Sequence, residues 1–159
     1  MTFDYTKIGS AGDIVVIEML GEELGIAVKH VREVLMPQQI HTLPGAPDFI
    51  EGVINLRGKS IIIMDMRKRF KVAANKSFHN RILICQIKHY IIGLIVDAVK
   101  DVVDLANKSV DPKPDLLNNF SESDCIDGVV RIGKRVIILL NLDTVLNKDE
   151  ANLLSGMVK

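Results

Sequence analysis

Gly52-Val53-Ile54-Asn55-Leu56-Arg57-Gly58-Lys59-Ser60-Ile61-Ile62-Ile63-Met64-Asp65-Met66 reads as two β-branched strands folded about a tight turn. Gly52–Leu56 forms one arm, Arg57-Gly58-Lys59 the turn and Ser60–Met66 the other arm. The same pattern returns later in the chain. Gly128-Val129-Val130-Arg131-Ile132 matches the first arm, and Ile137-Ile138-Leu139-Leu140-Asn141-Leu142 matches Ile61–Met66. The two copies lie 76 residues apart, from Gly52 to Gly128.

A second block repeats ahead of each hairpin. Gly25-Ile26-Ala27-Val28-Lys29-His30-Val31-Arg32-Glu33-Val34 aligns with Gly93-Leu94-Ile95-Val96-Asp97-Ala98-Val99-Lys100-Asp101-Val102, a spacing of 68 from Gly25 to Gly93. Glycines and charges recur in step with the apolar residues, so the match exceeds what any two Val/Ile-rich strands share. A longer central loop in the second half absorbs the difference in spacing. The chain therefore divides into two similar halves.

Each half reads as all-β. Asp13–Met19, the Gly21-Glu22-Glu23 turn and Leu24–Val28 make a hairpin, and Val31–Met36 continues extended to Pro37. Arg81–Ile87, the Lys88-His89 turn, Tyr90–Val96, Val99–Leu105, Cys125–Ile132 and Arg135–Leu140 repeat the order. Short strands at this spacing indicate small barrels or a sandwich. Pro47–Glu51 is expected to form one turn, and Asn141 or Asp143 to cap a C-terminal helix over about 142–156. The two subdomains are placed at about 13–70 and 81–146, joined through the polar stretch Lys71–Asn80, within one domain spanning 1–159.

The bulk properties agree with a globular chain. It has 159 residues, 48% apolar and 25% charged, enough to bury a core without disulfides. Twenty basic and twenty acidic side chains cancel, so no global charge draws the chain to nucleic acid or an anionic membrane. No secretory signal opens the sequence, and no apolar run approaches the roughly 18 residues of a membrane span. Cys85 and Cys125 have no metal-ligand spacing, and Cys85 reads as a buried small hydrophobe in a reducing, cytoplasmic setting.

Catalytic patterns are missing: there is no phosphate-binding glycine loop, His-Glu-x-x-His or Gly-x-Ser-x-Gly. His30, His41, His79 and His89 read as turn or surface histidines, Glu22-Glu23 as solvated turn charge, and Asp111-Pro112-Lys113-Pro114-Asp115 as a rigid loop. Arg67, Lys68, Arg69, Lys71, Lys76 and Arg81 form a basic run interleaved with Phe70 and Phe78. A solvated linker face explains it better than a single-strand nucleic-acid groove, because aromatic content is 4% and the net charge is zero. Arg57 stands out. It occupies a turn between apolar strands, its counterpart in the second copy is Gly133, and Glu33 is the natural carboxylate to pair with it.

Leu43-Pro44-Gly45-Ala46-Pro47-Asp48-Phe49-Ile50-Glu51-Gly52-Val53-Ile54-Asn55-Leu56-Arg57-Gly58, continuing to Asp65-Met66-Arg67, resembles the chemotaxis coupling protein (CheW) family. With the second copy and the Gly25 and Gly93 blocks, the resemblance covers about Asp13 to Leu146. It implies two five-stranded, SH3-like barrels sharing a hydrophobic core. It also implies a non-catalytic cytoplasmic adaptor, without cofactor or metal, recruited to membrane receptor arrays. Its partners would be the cytoplasmic tips of chemoreceptors (methyl-accepting chemotaxis proteins) and the regulatory domain of the histidine kinase CheA. Glu33 and Arg57 match the family's glutamate and arginine near the receptor-binding surface. Val31 and Val99 match strands flanking the groove where receptor helices dock. No residue is assigned to the kinase surface. One departure is Ile62, where the family usually has proline. The alternatives are coupling in another receptor–kinase pathway, such as surface motility, and, from a different class, a small-barrel nucleic-acid-binding protein.

Overall fold

The computed structural model describes residues 12–19, 21–69, 81–105, 108, 110–112 and 125–145. The strands are β1 (Asp13–Met19), β2 (Glu22–Ala27), β3 (Val31–Leu35), β4 (Ile50–Leu56), β5 (Lys59–Asp65), β6 (Arg81–Ile87), β7 (Tyr90–Val96), β8 (Ala98–Asp104), β9 (Val110–Pro112), β10 (Ile126–Ile132) and β11 (Arg135–Leu140). One short helix, α1 (Met66–Arg69), follows β5, and 3₁₀ turns occupy Val28–His30 and Leu142–Thr144. The four hairpins lie where strand and turn chemistry place them.

The strands form a six-stranded sheet, in the order β8-β1-β2-β11-β10-β9, and a five-stranded sheet, in the order β3-β6-β7-β5-β4. These are not the sequential halves at 13–70 and 81–146. Among the described residues, one compact unit holds the chain up to His30 and again from Val99. The other is Val31–Ala98. Each half's first hairpin pairs with the other half's second hairpin. β2 runs parallel to β11, with Gly25 opposite Leu139, and β7 runs parallel to β5, with Gly93 opposite Ile63.

The repeat spacings hold in three dimensions. A Cβ on Gly25 would stand 2.7 Å from Ile14 Cδ1 and 3.0 Å from Leu139 Cδ2. On Gly93 it would meet the equivalent Ile63 and Ile82 at 2.4 and 2.9 Å. Gly52 and Gly128 each sit at a register shift in their hairpin, where a third strand or bridge closes in. A Cβ on Gly52 would lie 2.1 Å from the His41 carbonyl oxygen, and one on Gly128 2.4 Å from that of Asp111. The Asp65 N–H donates to the Phe49 carbonyl at 2.8 Å, as that of Asn141 donates to Cys125 at 2.7 Å.

Each unit carries a cluster of aliphatic side chains. In one, Ile14, Val16, Leu105, Val130, Ile137 and Leu139 pack together. In the other, Ile54, Ile61, Ile63, Ile82, Ile84 and Ile95 do so. Ile62 is buried in a central strand, paired with Val53 on one side and Ile92 on the other.

Several local expectations change. Asp111-Pro112, read as loop, belongs to β9. Pro112 is tolerated there because β9 is an edge strand. The turn expected at Pro47–Glu51 ends earlier, with the Ile50 N–H donating to the Pro47 carbonyl at 3.0 Å as β4 begins. His30 is buried by the 3₁₀ turn between β2 and β3, whereas His41 and His89 are exposed. Asn141 does cap the turn after β11, accepting from the Asp143 N–H at 2.9 Å. The rest of the helix expected over 142–156 lies outside the described residues, as do His79 and the Lys71–Asn80 stretch.

Candidate functional site

Hairpin β4–β5 turns through Arg57 and Gly58, both with positive φ (51° and 83°). That is the two-residue turn whose twist suits antiparallel strands. Asn55 locks it, its Oδ1 accepting from the Gly58 N–H at 3.0 Å. In the second copy Gly133, at the equivalent position, has φ 60°, but Lys134, unlike Gly58, has no positive φ, so the turn type differs and glycine meets it without strain. Arg57 adopts this conformation despite its Cβ, as Lys88 (φ 56°) does in the β6–β7 turn.

The Arg57 guanidinium reaches β3. Its Nη2 lies 2.5 Å from Glu33 Oε2, with the arginine side chain 70% exposed and the glutamate 32%. The hydrogen bond to Glu33, reinforced by its charge, pushes the Arg57 pKa up. One anchored carboxylate leaves most of a five-donor fork facing solvent. β3 is an edge strand with alternating exposure: Val31, Glu33 and Leu35 are half-buried, while Arg32 and Val34 are exposed. Arg32 hydrogen-bonds Gln86 of β6. The structure thus brings together Glu33 and Arg57, with Val31 two residues before Glu33 on the same strand. Val99 lies on β8 of the other unit, at the position equivalent to Val31, and is also half-buried.

The second unit builds its tie differently. Asp101, equivalent to Glu33, receives Arg135 Nη1 and Nη2 at 3.2 and 3.1 Å. The same guanidinium grips Glu23 through Nη2 at 2.6 Å and Nε at 3.0 Å. Lys100 approaches Glu18 at 3.7 Å and Glu23 at 3.6 Å. The hydrogen bond from Arg135 is the main cause holding the Glu23 carboxyl below its ordinary 4.5, against burial that pushes it up. Glu23 is therefore not a solvated turn charge but the inner member of an ion network. Its arginine is 112 residues away, beyond any local pattern.

The basic run is also not a solvated face at its start. Arg67 is buried, donating from Nε to Asp65 Oδ1 at 3.1 Å and from Nη2 to Oδ2 at 3.2 Å, with Asp97 at 3.6 Å. The Asp65 hydrogen bond is the largest influence raising its pKa. Lys68 pairs with Glu51 at 2.5 Å. α1 turns inward directly after β5, and an arginine there is retained only by paired carboxylates. Burial pushes the Cys85 thiol up to about 12. Among the described residues, no group of three or more His, Cys, Asp or Glu could hold a metal ion. Nor is any helix long and apolar enough to cross a membrane.

Edge-strand exposure was missed by sequence reasoning. Val34 and Val102 are equivalent residues of β3 and β8, exposed by 45% and 59%, and Met36 beyond β3 by 64%. The period-2 alternation of Val31–Met36 is the signal that could have found them.

A CheW-like domain matches residues 13–150. The chain is 32% identical over 139 residues to "Chemotaxis protein CheW" of Rhizobium meliloti (strain 1021), covering 87% of this chain and 89% of that protein. It is 26% identical to the protein of that name from Bacillus subtilis (strain 168), covering 91% and 93%. Among solved structures, scaffolding protein TtCheW from Thermoanaerobacter tengcongensis superposes with a TM-score of 0.78 at 34% identity. That match covers 87% of this chain and 96% of the other. With the paired sheets and duplicated hairpins in place, the chain belongs to the CheW-like domain family, the non-catalytic scaffolding and coupling proteins of chemotaxis.

Proposed function

We propose that this chain couples the cytoplasmic tips of chemoreceptors to the regulatory domain of the histidine kinase CheA. It acts as an adaptor recruited from the cytoplasm to membrane receptor arrays. Receptor binding uses Arg57 and Glu33, with Val31 and Val99 supplying apolar contact. The observation that supports this most directly is Arg57. It keeps an arginine in a left-handed turn where the duplicate has glycine, and presents it on an exposed edge tied by one carboxylate. A helical hairpin with acidic and apolar side chains on one face suits such a surface. Burial of Arg67 in an internal ion pair removes the leading cation of the basic run from any nucleic-acid surface.

The test is binding of a purified receptor cytoplasmic fragment to wild type, Arg57→Ala and Arg57→Gly. Glycine suits the turn, so Arg57→Gly removes the guanidinium without straining the fold. Affinity is expected to fall by about tenfold in both variants, with thermal melting retained in Arg57→Gly. Equal affinity of all three would remove Arg57 from the receptor site.

A further inference from the structure

We propose that Arg135 is a positioning residue. Its guanidinium, braced by Glu23, grips Asp101 and fixes the edge strand β8 in the pose that presents Val99. The part concerning Val99 rests on the receptor-binding reading above.

Among the described residues, β8 hydrogen-bonds a neighbouring strand on one side only, and Lys100, Asp101, Val102 and Asp104 on it are exposed. Strands held this way open easily. Beyond its ladder, β8 is tied down by Val103, which packs against the aliphatic cluster of its unit, and by charge. Arg135 of β11 spans Glu23 and Asp101 with both arms of its fork, and Lys100 reaches back to Glu18 and Glu23. Glu23 is only 14% exposed, so the brace is shielded from water and acts on a fork of fixed geometry. An isolated surface pair would do little, but a shared, partly buried network does more.

The other unit supplies the second observation. Equivalent residues are Val31 and Val99, Glu33 and Asp101, each pair 68 apart. In both units the edge strand carries a valine followed two residues later by an acid, and in both an arginine at a hairpin end holds that acid. The arginines are not equivalent. Gly133 stands where Arg57 does, and Lys59 stands where Arg135 does, each 76 apart. Two different residues reach the same tie, so the tie is the common element.

Asp101→Ala cuts the arm to β8 and leaves Arg135 on Glu23. Arg135→Lys keeps the charge but loses the fork, and Arg131→Gln, which removes the pair to Asp111 beside β9, is the control. Amide hydrogen exchange, melting temperature and affinity for the purified receptor fragment are measured on each. Roughly fivefold faster exchange at Val99–Val103 is expected in Asp101→Ala, with a smaller rise in Arg135→Lys. Fragment binding is expected to weaken roughly threefold to tenfold while melting matches the control. Unchanged exchange would overturn the clasp. Faster exchange with wild-type affinity would overturn its role in presenting Val99. Failure of the wild type itself to bind the fragment would sink the receptor reading instead, and the exchange data would still decide whether Arg135 holds β8.

Discussion

At the scale of single residues, the informative positions are those where the two copies differ at equivalent places. Arg57 and Gly133 both have positive φ at the first turn position, but only Arg57 carries a side chain, and it reaches an edge strand. Arg135 and Lys59 invert the choice. Glu23 gives the residue scale its pH dependence. Its carboxyl is held below 4.5 by Arg135, so its contribution to stability is complete above that value and is lost as pH falls through the lower folded value. Glu23→Gln is therefore expected to melt roughly 2–4 °C below wild type at neutral pH. The gap should stay constant down to about pH 5 and close in more acidic buffer, which thermal scans across pH will read. Glu33 and Arg57 were legible as a pair because an isolated cation in an apolar hairpin needs a carboxylate. Glu23 and Arg135 were not, since nothing local announces a partner 112 residues away.

At the scale of elements, hairpins are governed by turn chemistry and by where a backbone must come close. Gly52 has φ 147°, and a Cβ there would lie 2.1 Å from the His41 carbonyl oxygen, whose backbone is bridged to Val53. Gly21 has φ 81° but open space around it. Gly52→Ala is accordingly expected to cost about 3 kcal/mol and Gly21→Ala about 1 kcal/mol, as measured by urea unfolding. Similar losses for both would show that the bulge at Gly52 relaxes. Strand positions were readable because β-branched runs bounded by turn residues have few other solutions. Arg67 was misread for a related reason. A run of cations looks solvated by composition, yet α1 turns its first arginine back onto Asp65 and Asp97.

At the scale of the whole molecule, the exchange of hairpins makes each half dependent on the other. β1–β2 lacks its parallel neighbour without β11, and β3 lacks its ladder without β6. Fragments 1–70 and 81–159 are each expected to give no cooperative melt by circular dichroism, whereas their equimolar mixture recovers one. A single half that melts cooperatively would mean that contiguous halves fold alone. The sequence by itself determined every described strand but β9, their turns, the duplication and the Arg57–Glu33 pair, because turn torsions, side-chain alternation and an unbalanced charge act over a few residues or repeat in register. Only the tertiary structure decided which hairpins share a sheet, that His30 and Arg67 are buried, and that Arg135 binds Glu23 and Asp101. Those outcomes depend on parallel pairing and ion pairing between distant segments, where many partners are chemically equal and the assembled sheet selects one.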